Sequence, residues 1–191
     1  MKNLSNKVAI ITGSSSGVGA ATAKLLAAQG CNVVINYNSN ADGGNAVAVE
    51  CEALGVECLV IGGNVAEDAN CLAMAGAAIE KWGRIDILVN NAGTTKFVDH
   101  SDLHGLSSDD FQHIYGVNVI GSYQMIRAVS EQMQSQEEGG AVVNVASTAA
   151  VTGIGSSVAY AASKGALVTM TLSLARALGP KLRINAVCPG F

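Results

Sequence analysis

At 191 residues, with 49% apolar and 14% charged side chains, the chain has the size of one domain that buries about 70% of its unfolded surface, which excludes disorder and any need for disulfide or metal staples. A formal net charge of −4 without a Lys/Arg run leaves no electrostatic footprint for nucleic acid or an anionic membrane surface. Cys31, Cys51, Cys58, Cys71 and Cys188 are odd in number and lack metal-ligand spacing, and no stretch approaches the roughly 20 apolar residues that span a bilayer, so a cytoplasmic chain with reduced thiols and no metal, nucleic-acid or membrane partner is expected.

The apolar run at 7–12 reads as a buried strand, and Gly13-Ser14-Ser15-Ser16-Gly17-Val18-Gly19 joins it to a segment of helical spacing over 18–29. A second strand over 33–37 leads through Asn36-Tyr37-Asn38-Ser39 towards a helix over 45–54. A third strand, 56–61, is followed by Asn64 and Val65 and a helix over 66–82; a fourth, 85–90, runs into Asn91-Ala92-Gly93. Past a polar stretch over 94–108, which holds two of the three histidines, a long helix is predicted over 109–133 and an irregular stretch over 134–140. A strand over 141–146, a helix over 158–178 and a strand over 182–187 complete the order. Such alternation requires crossover helices between parallel strands, so the chain is read as a single α/β domain with a doubly wound parallel sheet.

In an open parallel sheet, ligands bind beyond the carboxyl ends of the strands, and the unusual residues of this sequence follow strand ends. Gly13, Gly17 and Gly19 let the backbone approach a pyrophosphate, and the helix start adds N–H donors and a favourable dipole. Their spacing differs from the G-x-G-x-x-G of the general dinucleotide fingerprint. The end of the second strand offers neither the carboxylate that suits the ribose hydroxyls of NAD nor the cation that suits a 2′-phosphate. With no acid to repel a phosphate, and with Asn38, Ser39 and Ser15 as hydrogen-bond donors, the balance favours NADP; the missing Arg keeps NAD open. Tyr160 and Lys164 are four apart in a helical segment and share one face, with Cβ atoms about 5 to 6 Å apart. Ser147 stands thirteen residues before Tyr160, at a strand end where that helix can lie beside it.

The glycine spacing, together with Asn90-Asn91-Ala92-Gly93, Asn118, Ser147, Tyr160-Ala161-Ala162-Ser163-Lys164 and Pro189-Gly190, resembles the short-chain dehydrogenase/reductase family over nearly the whole chain. It is similar in particular to members like 3-oxoacyl-carrier-protein reductase, in which Asn occurs where Asn64 stands and many other members carry Asp. The resemblance implies a Rossmann-type fold and an NAD(P)-dependent oxidoreductase that transfers a hydride between nicotinamide and a small-molecule carbonyl or alcohol. It implies that Gly13, Ser15, Ser16, Gly17, Val18 and Gly19 cradle the pyrophosphate and that Tyr37, Asn38 and Ser39 meet the adenosine ribose. Asn64 and Val65 would meet the adenine, Asn91, Ala92 and Gly93 would steady the central strands and flank the adenosine, and Pro189 and Gly190 would begin the nicotinamide loop. As catalytic residues it implies Tyr160 for proton transfer, Ser147 to polarise the substrate oxygen, Lys164 to charge the site and meet the nicotinamide ribose, and Asn118 to hold a water linking Lys164 to solvent. A cation about 5 Å away, at an effective dielectric of about 20, stabilises a phenolate by roughly 3 kcal/mol.

Two other readings compete. A 3-oxoacyl-carrier-protein reductase proper needs a basic rim for its acidic partner, whereas residues 132–138 hold no cation and end in Glu137-Glu138. A nucleotide-binding chain without catalysis is the other; family members continue for some tens of residues past the Pro-Gly, so residues 1–191 are expected to lack a substrate-covering segment, to leave 182–187 as a sheet edge and to turn over poorly. The helices at 109–133 and 158–178 carry more small and apolar residues than one sheet face needs, which suggests a homo-oligomer.

Overall fold

Four consecutive apolar residues, Val8–Ile11, are fully buried, which requires a strand covered on both faces. In the computed structural model, which describes residues 4–190, this strand, β1, is followed by α1 (Gly17–Ala27), β2 (Asn32–Tyr37), α2 (Ala41–Glu52), β3 (Cys58–Gly62), α3 (Asp68–Trp82) and β4 (Ile87–Asn90). Then come α4 (Ser108–Tyr115), a π-helical turn (Gly116–Gly121), α5 (Ser122–Ser135), β5 (Gly140–Val145), α6 (Ala149–Thr152), α7 (Val158–Leu178) and β6 (Leu182–Val187). The six strands form one parallel sheet of order β3-β2-β1-β4-β5-β6. The chain winds outward from β1 in one direction and from β4 in the other, so the switch point that opens a ligand crevice falls between β1 and β4.

Alternation along β1 divides the core. Ala9 and Ile11 face the layer of α1 and α2, packing with Ala20, Ala23, Val47 and Cys51. Val8 and Ile10 face the opposite layer, where Met74 of α3 and Met125, Val129 and Met133 of α5 meet Leu88 and Val142.

Three departures from the sequence reading have identifiable causes. Helix α2 begins at Ala41, four residues earlier than predicted, because Asn40 caps it by accepting the Gly43 N–H at 3.0 Å. The Gly43-Gly44 pair reads as a turn in sequence, but both glycines allow close packing: a Cβ on Gly43 would lie 2.6 Å from the Ser15 carbonyl oxygen, and one on Gly44 would lie 3.1 Å from the Tyr37 ring. The long helix is continuous in path but contains the π turn, in which one extra residue per turn shifts the faces of α4 and α5 relative to each other. Finally, α7, at 21 residues and a mean hydropathy of 1.2, is long and apolar enough by composition to cross a bilayer, which corrects the expectation that no segment approaches that length. Its small residues let it pack closely on the sheet, and it buries Ser163, Lys164 and Thr171 as well as Ala159, Ala161 and Leu167.

At the amino end of the sheet, buried Asp86 accepts the Val8 N–H at 2.9 Å and a bidentate pair from Arg84 at 2.8 and 2.7 Å, with Lys7 at 3.3 Å. Burial pushes this carboxyl up, but the Arg84 hydrogen bonds and the Val8 N–H outweigh it and hold it below the usual carboxylate range. A lowered folded-state pKa contributes stability above about pH 4 that is lost as the pH falls. Asp86→Ala should therefore cost about 2 kcal/mol in urea unfolding at pH 7, and the gap to the unmodified protein should narrow below about pH 4.

Candidate active site

The site is built where β1, β2 and β4 end. Thr12 Oγ1 accepts the N–H groups of Asn91 and Ala92, each at 3.0 Å, and the Asn91 amide donates to the carbonyls of Thr12 and Gly13 at 2.9 and 3.0 Å. Gly13 donates its N–H to Asn36 Oδ1 at 3.0 Å, while Asn36 Nδ2 donates to the carbonyls of Ile61 and Gly63. Each glycine then has its own reason. Gly13 has φ +61° and a Cβ there would lie 2.9 Å from Ala92 Cα; a Cβ on Gly19 would lie 2.5 Å from Asn91 Nδ2. Gly17, at φ +56°, has open space around it, so its backbone conformation alone requires glycine.

Helix α1 starts at this loop with the Ser16 side chain capping no N–H group and no acidic residue in the first turn. Its orphan N–H groups and positive dipole end thus fit an anionic group. Beside them lies a cavity of about 560 Å³, lined by Gly13, Ser15, Ser16 and Val18, by Asn38 and Ser39, by Asn64 and Val65, and by Asn91, Ala92 and Gly93. Those residues are among the ones expected from the sequence for a nucleotide cofactor, and their hydrogen-bond donors fit one. Asn36, Asn40, Gly63, Thr94, His113 and Val117 complete the lining. Nothing in local sequence pattern marks His113, because the π turn that follows it sets which face it presents. Tyr37 is placed differently from expectation: its ring packs over Gly44 and Gly62 and does not line the cavity. Gly17 and Gly19 belong to the loop but not to the cavity lining.

A second cavity of about 880 Å³ shares Val18 and Asn91 with the first and contains Ser147, Tyr160, Pro189 and Gly190. Ser147 lies two residues past the end of β5, and its Oγ accepts the Ala149 N–H at 3.1 Å, which leaves the hydroxyl proton free to be donated. Tyr160 lies in the first turn of α7, which Ser157 caps by accepting the Tyr160 N–H at 3.2 Å. Lys164, one turn on, is 4% exposed; its Nζ donates to the Val145 carbonyl at 2.7 Å and stands 5.7 Å from the Tyr160 ring centroid. Burial pushes its pKa down to about 8. A Cβ on Gly93 would lie 3.6 Å from this ammonium, so the ammonium approaches backbone that lines the first cavity.

Asn118 is fully buried in the π turn, where its side chain is engaged by protein groups. It accepts the Thr94 N–H at 2.8 Å and donates to the Thr94 carbonyl at 3.1 Å and to Ser163 Oγ at 2.9 Å. Both amide protons are thereby spent on protein groups. Ser163 in turn donates to the Tyr160 carbonyl at 2.7 Å, so Asn118 ties the segment after β4 to the helix that carries Tyr160 and Lys164.

The short chain dehydrogenase family profile matches residues 7–191. The chain belongs to that family. It is 35% identical over 192 residues to 3-oxoacyl-[acyl-carrier-protein] reductase of Synechocystis sp., covering 100% of this chain and 76% of that protein. It is 37% identical over 202 residues to 3-hydroxyacyl-CoA dehydrogenase type-2 of Rattus norvegicus, covering 100% of this chain and 75% of that one. Among solved structures, NAD+-bound xylitol dehydrogenase superposes with a TM-score of 0.92 at 31% identity, covering 100% of this chain and 72% of that chain. This short-chain dehydrogenase is thus a nicotinamide-dependent oxidoreductase acting on carbonyl or alcohol groups.

The buried ammonium has a cost that can be measured. The shift of Lys164 from 10.5 to about 8 corresponds to about 3 kcal/mol, against about 1 kcal/mol for the hydrogen bond to Val145. Because the folded-state pKa is depressed, the penalty is complete below about pH 8 and fades as the pH rises towards 10.5. Lys164→Met should be about 2 kcal/mol more stable than the unmodified protein at pH 7, and urea unfolding at pH 9.5 should show a smaller gain.

Proposed function

We propose that this dehydrogenase reduces small uncharged carbonyl compounds with NADPH, or oxidises the corresponding alcohols, with Tyr160 as the proton-transferring group. The observation that carries the reading is that Ser147 and Tyr160 line one cavity, joined to the nucleotide cavity at Val18 and Asn91, with the Lys164 ammonium buried beside the phenol. When bound, the nicotinamide supplies or takes the hydride at the substrate carbon. Ser147 donates its hydroxyl proton to the substrate oxygen and holds it within reach of Tyr160. Tyr160 delivers its proton to that oxygen as negative charge develops there, and the fixed ammonium of Lys164 stabilises the phenolate left behind. Asn118 and Ser163 hold the helix that presents both groups. Phe97, Val98 and Ile154 give the substrate cavity an apolar wall, and its lining among the described residues carries no Lys or Arg and one carboxylate, Asp99, which supports a substrate without negative charge.

Preference for NADP over NAD is supported by the lining around Asn38, Ser39, Asn40 and Ser15, which offers hydrogen-bond donors and, among the described residues, no Asp or Glu. Ile120, Tyr123 and Leu172 lie about half exposed on the π turn, α5 and α7, which supports a homo-oligomer formed through these helices. Five free cysteines, four of them buried, agree with a reducing cytoplasm. A second reading, 3-oxoacyl-carrier-protein reductase, is favoured by the Synechocystis relative, and a carbonyl panel that includes a 3-oxoacyl thioester separates it from the first.

Tyr160→Phe should lower kcat for the preferred carbonyl by several orders of magnitude while the dissociation constant for NADPH stays within a few-fold, since only the proton is lost; turnover near the unmodified rate would remove Tyr160 from the mechanism. Asn38→Asp should turn the preference towards NADH by at least about tenfold, through repulsion of the 2′-phosphate. Fluorescence titration of both cofactors against both proteins reads this directly, and tighter binding of NADH by the unmodified chain would refute the NADP reading.

A further inference from the structure

The segment after β4, residues 94–106, has no regular structure, yet it is fastened to the segment that leads into α7. Val98 donates its N–H to the Ser156 carbonyl at 2.9 Å, the Thr95 and Ser156 hydroxyls lie 2.6 Å apart, and His100 Nε2 meets the Gly155 carbonyl oxygen at 3.0 Å. A carbonyl oxygen can only accept, so Nε2 carries a proton, and it does so in both the neutral Nε2–H tautomer and the imidazolium.

Gly155 is the piece between His100 and the phenol. A Cβ built on it would lie 3.0 Å from Ala149 Cβ and 3.4 Å from Tyr160 Cδ1, so its bare backbone is wedged between α6 and the Tyr160 ring. His100 pulls on the carbonyl of this wedge, and His100, Gly155 and Tyr160 all line the 880 Å³ cavity.

We infer that His100 is a positioning residue for Tyr160: through its hydrogen bond to Gly155 it fixes the face of the phenol ring and hence the place of the hydroxyl in the substrate cavity. The inference rests on the reading of Tyr160 as the proton-transferring group. A hydroxyl misplaced by about 1 Å is enough to slow a positioned proton transfer by about a hundredfold, whereas cofactor binding in the neighbouring cavity does not depend on it.

The test uses the full chain labelled with 3-fluorotyrosine, in which Tyr160 is assigned against Tyr160→Phe and the signals of Tyr37, Tyr115 and Tyr123 report on folding. In His100→Ala and His100→Phe the fluorine resonance of Tyr160 should move by more than its linewidth while the other three stay in place. In His100→Gln, whose amide N–H can reach the same carbonyl, it should return to its original position. Turnover of NADPH with the best carbonyl of the panel should fall by about 10- to 100-fold in kcat for His100→Ala, with the KM for NADPH within about twofold, and should recover in His100→Gln. In a Tyr160→Phe background, His100→Ala should add no further loss. An unmoved Tyr160 resonance in His100→Ala, or no recovery in His100→Gln, overturns the positioning role. Undiminished turnover of Tyr160→Phe alone overturns the reading of Tyr160 instead, and the fluorine spectra keep the two failures apart.

Discussion

Two asparagine amides hold the ends of the strands at fixed distances, and the cavity geometry depends on them. Asn36 accepts from Gly13 and donates to Ile61 and Gly63, while Asn91 donates to Thr12 and Gly13. At the carboxyl edge of a parallel sheet the backbone ladder stops, and the next carbonyls and N–H groups would otherwise need water. These side chains supply the next set of partners from within the protein. Each such hydrogen bond is worth only about 1 kcal/mol net, but an unpartnered buried group costs about 1 to 3 kcal/mol, so the loop at Gly13 is held firmly in the one conformation that satisfies them. The same interactions keep the start of α1 facing an open cavity.

A second constraint runs against stability. Lys164 is a cation in an almost fully enclosed position, hydrogen-bonded to the Val145 carbonyl with no ion-pair partner among the described residues. A buried ammonium is held there only because the surrounding fold over-determines it. Ser163 binds Tyr160, Asn118 binds Ser163, and Asn118 also binds both backbone groups of Thr94. The charge thus lies in a frame built from α7, the π turn and the segment after β4. Perturbed titratable groups beside a cavity are the expected mark of a working site, and here the perturbation, the cavity and the phenol coincide.

Much of this was legible in the residues. The runs ending at Thr12, Asn90 and Ala146 read as strands because fully buried parallel strands are continuously apolar, and the loop, Ser147, Tyr160 and Lys164 were recognisable because their chemistry sits on short spacings at strand ends or along one helix face. The start of α2 was not legible, since Gly43-Gly44 carries the local signal of a turn and only contact with Ser15 and Tyr37 shows why glycine is needed inside a helix. Tyr37 differs for a related reason: its place at the end of β2 suggests the ribose, but its ring packs against Gly44 and Gly62 and is not part of the cavity lining.

The sequence by itself determined the alternation of strands and helices, the parallel doubly wound sheet, and the sheet edge at which the cavities open beside Ser147 and Tyr160. These follow from periods of two to four residues and from chain connectivity, which are properties of neighbours along the chain. Only the tertiary structure decided that Asn118 spends its amide on Thr94 and Ser163, that His113 borders the nucleotide cavity and that His100 reaches Gly155 behind Tyr160. Those contacts join residues 24 to 55 positions apart or depend on the π turn. No local spacing encodes them, because they form only when packing of the two layers has fixed where each segment returns.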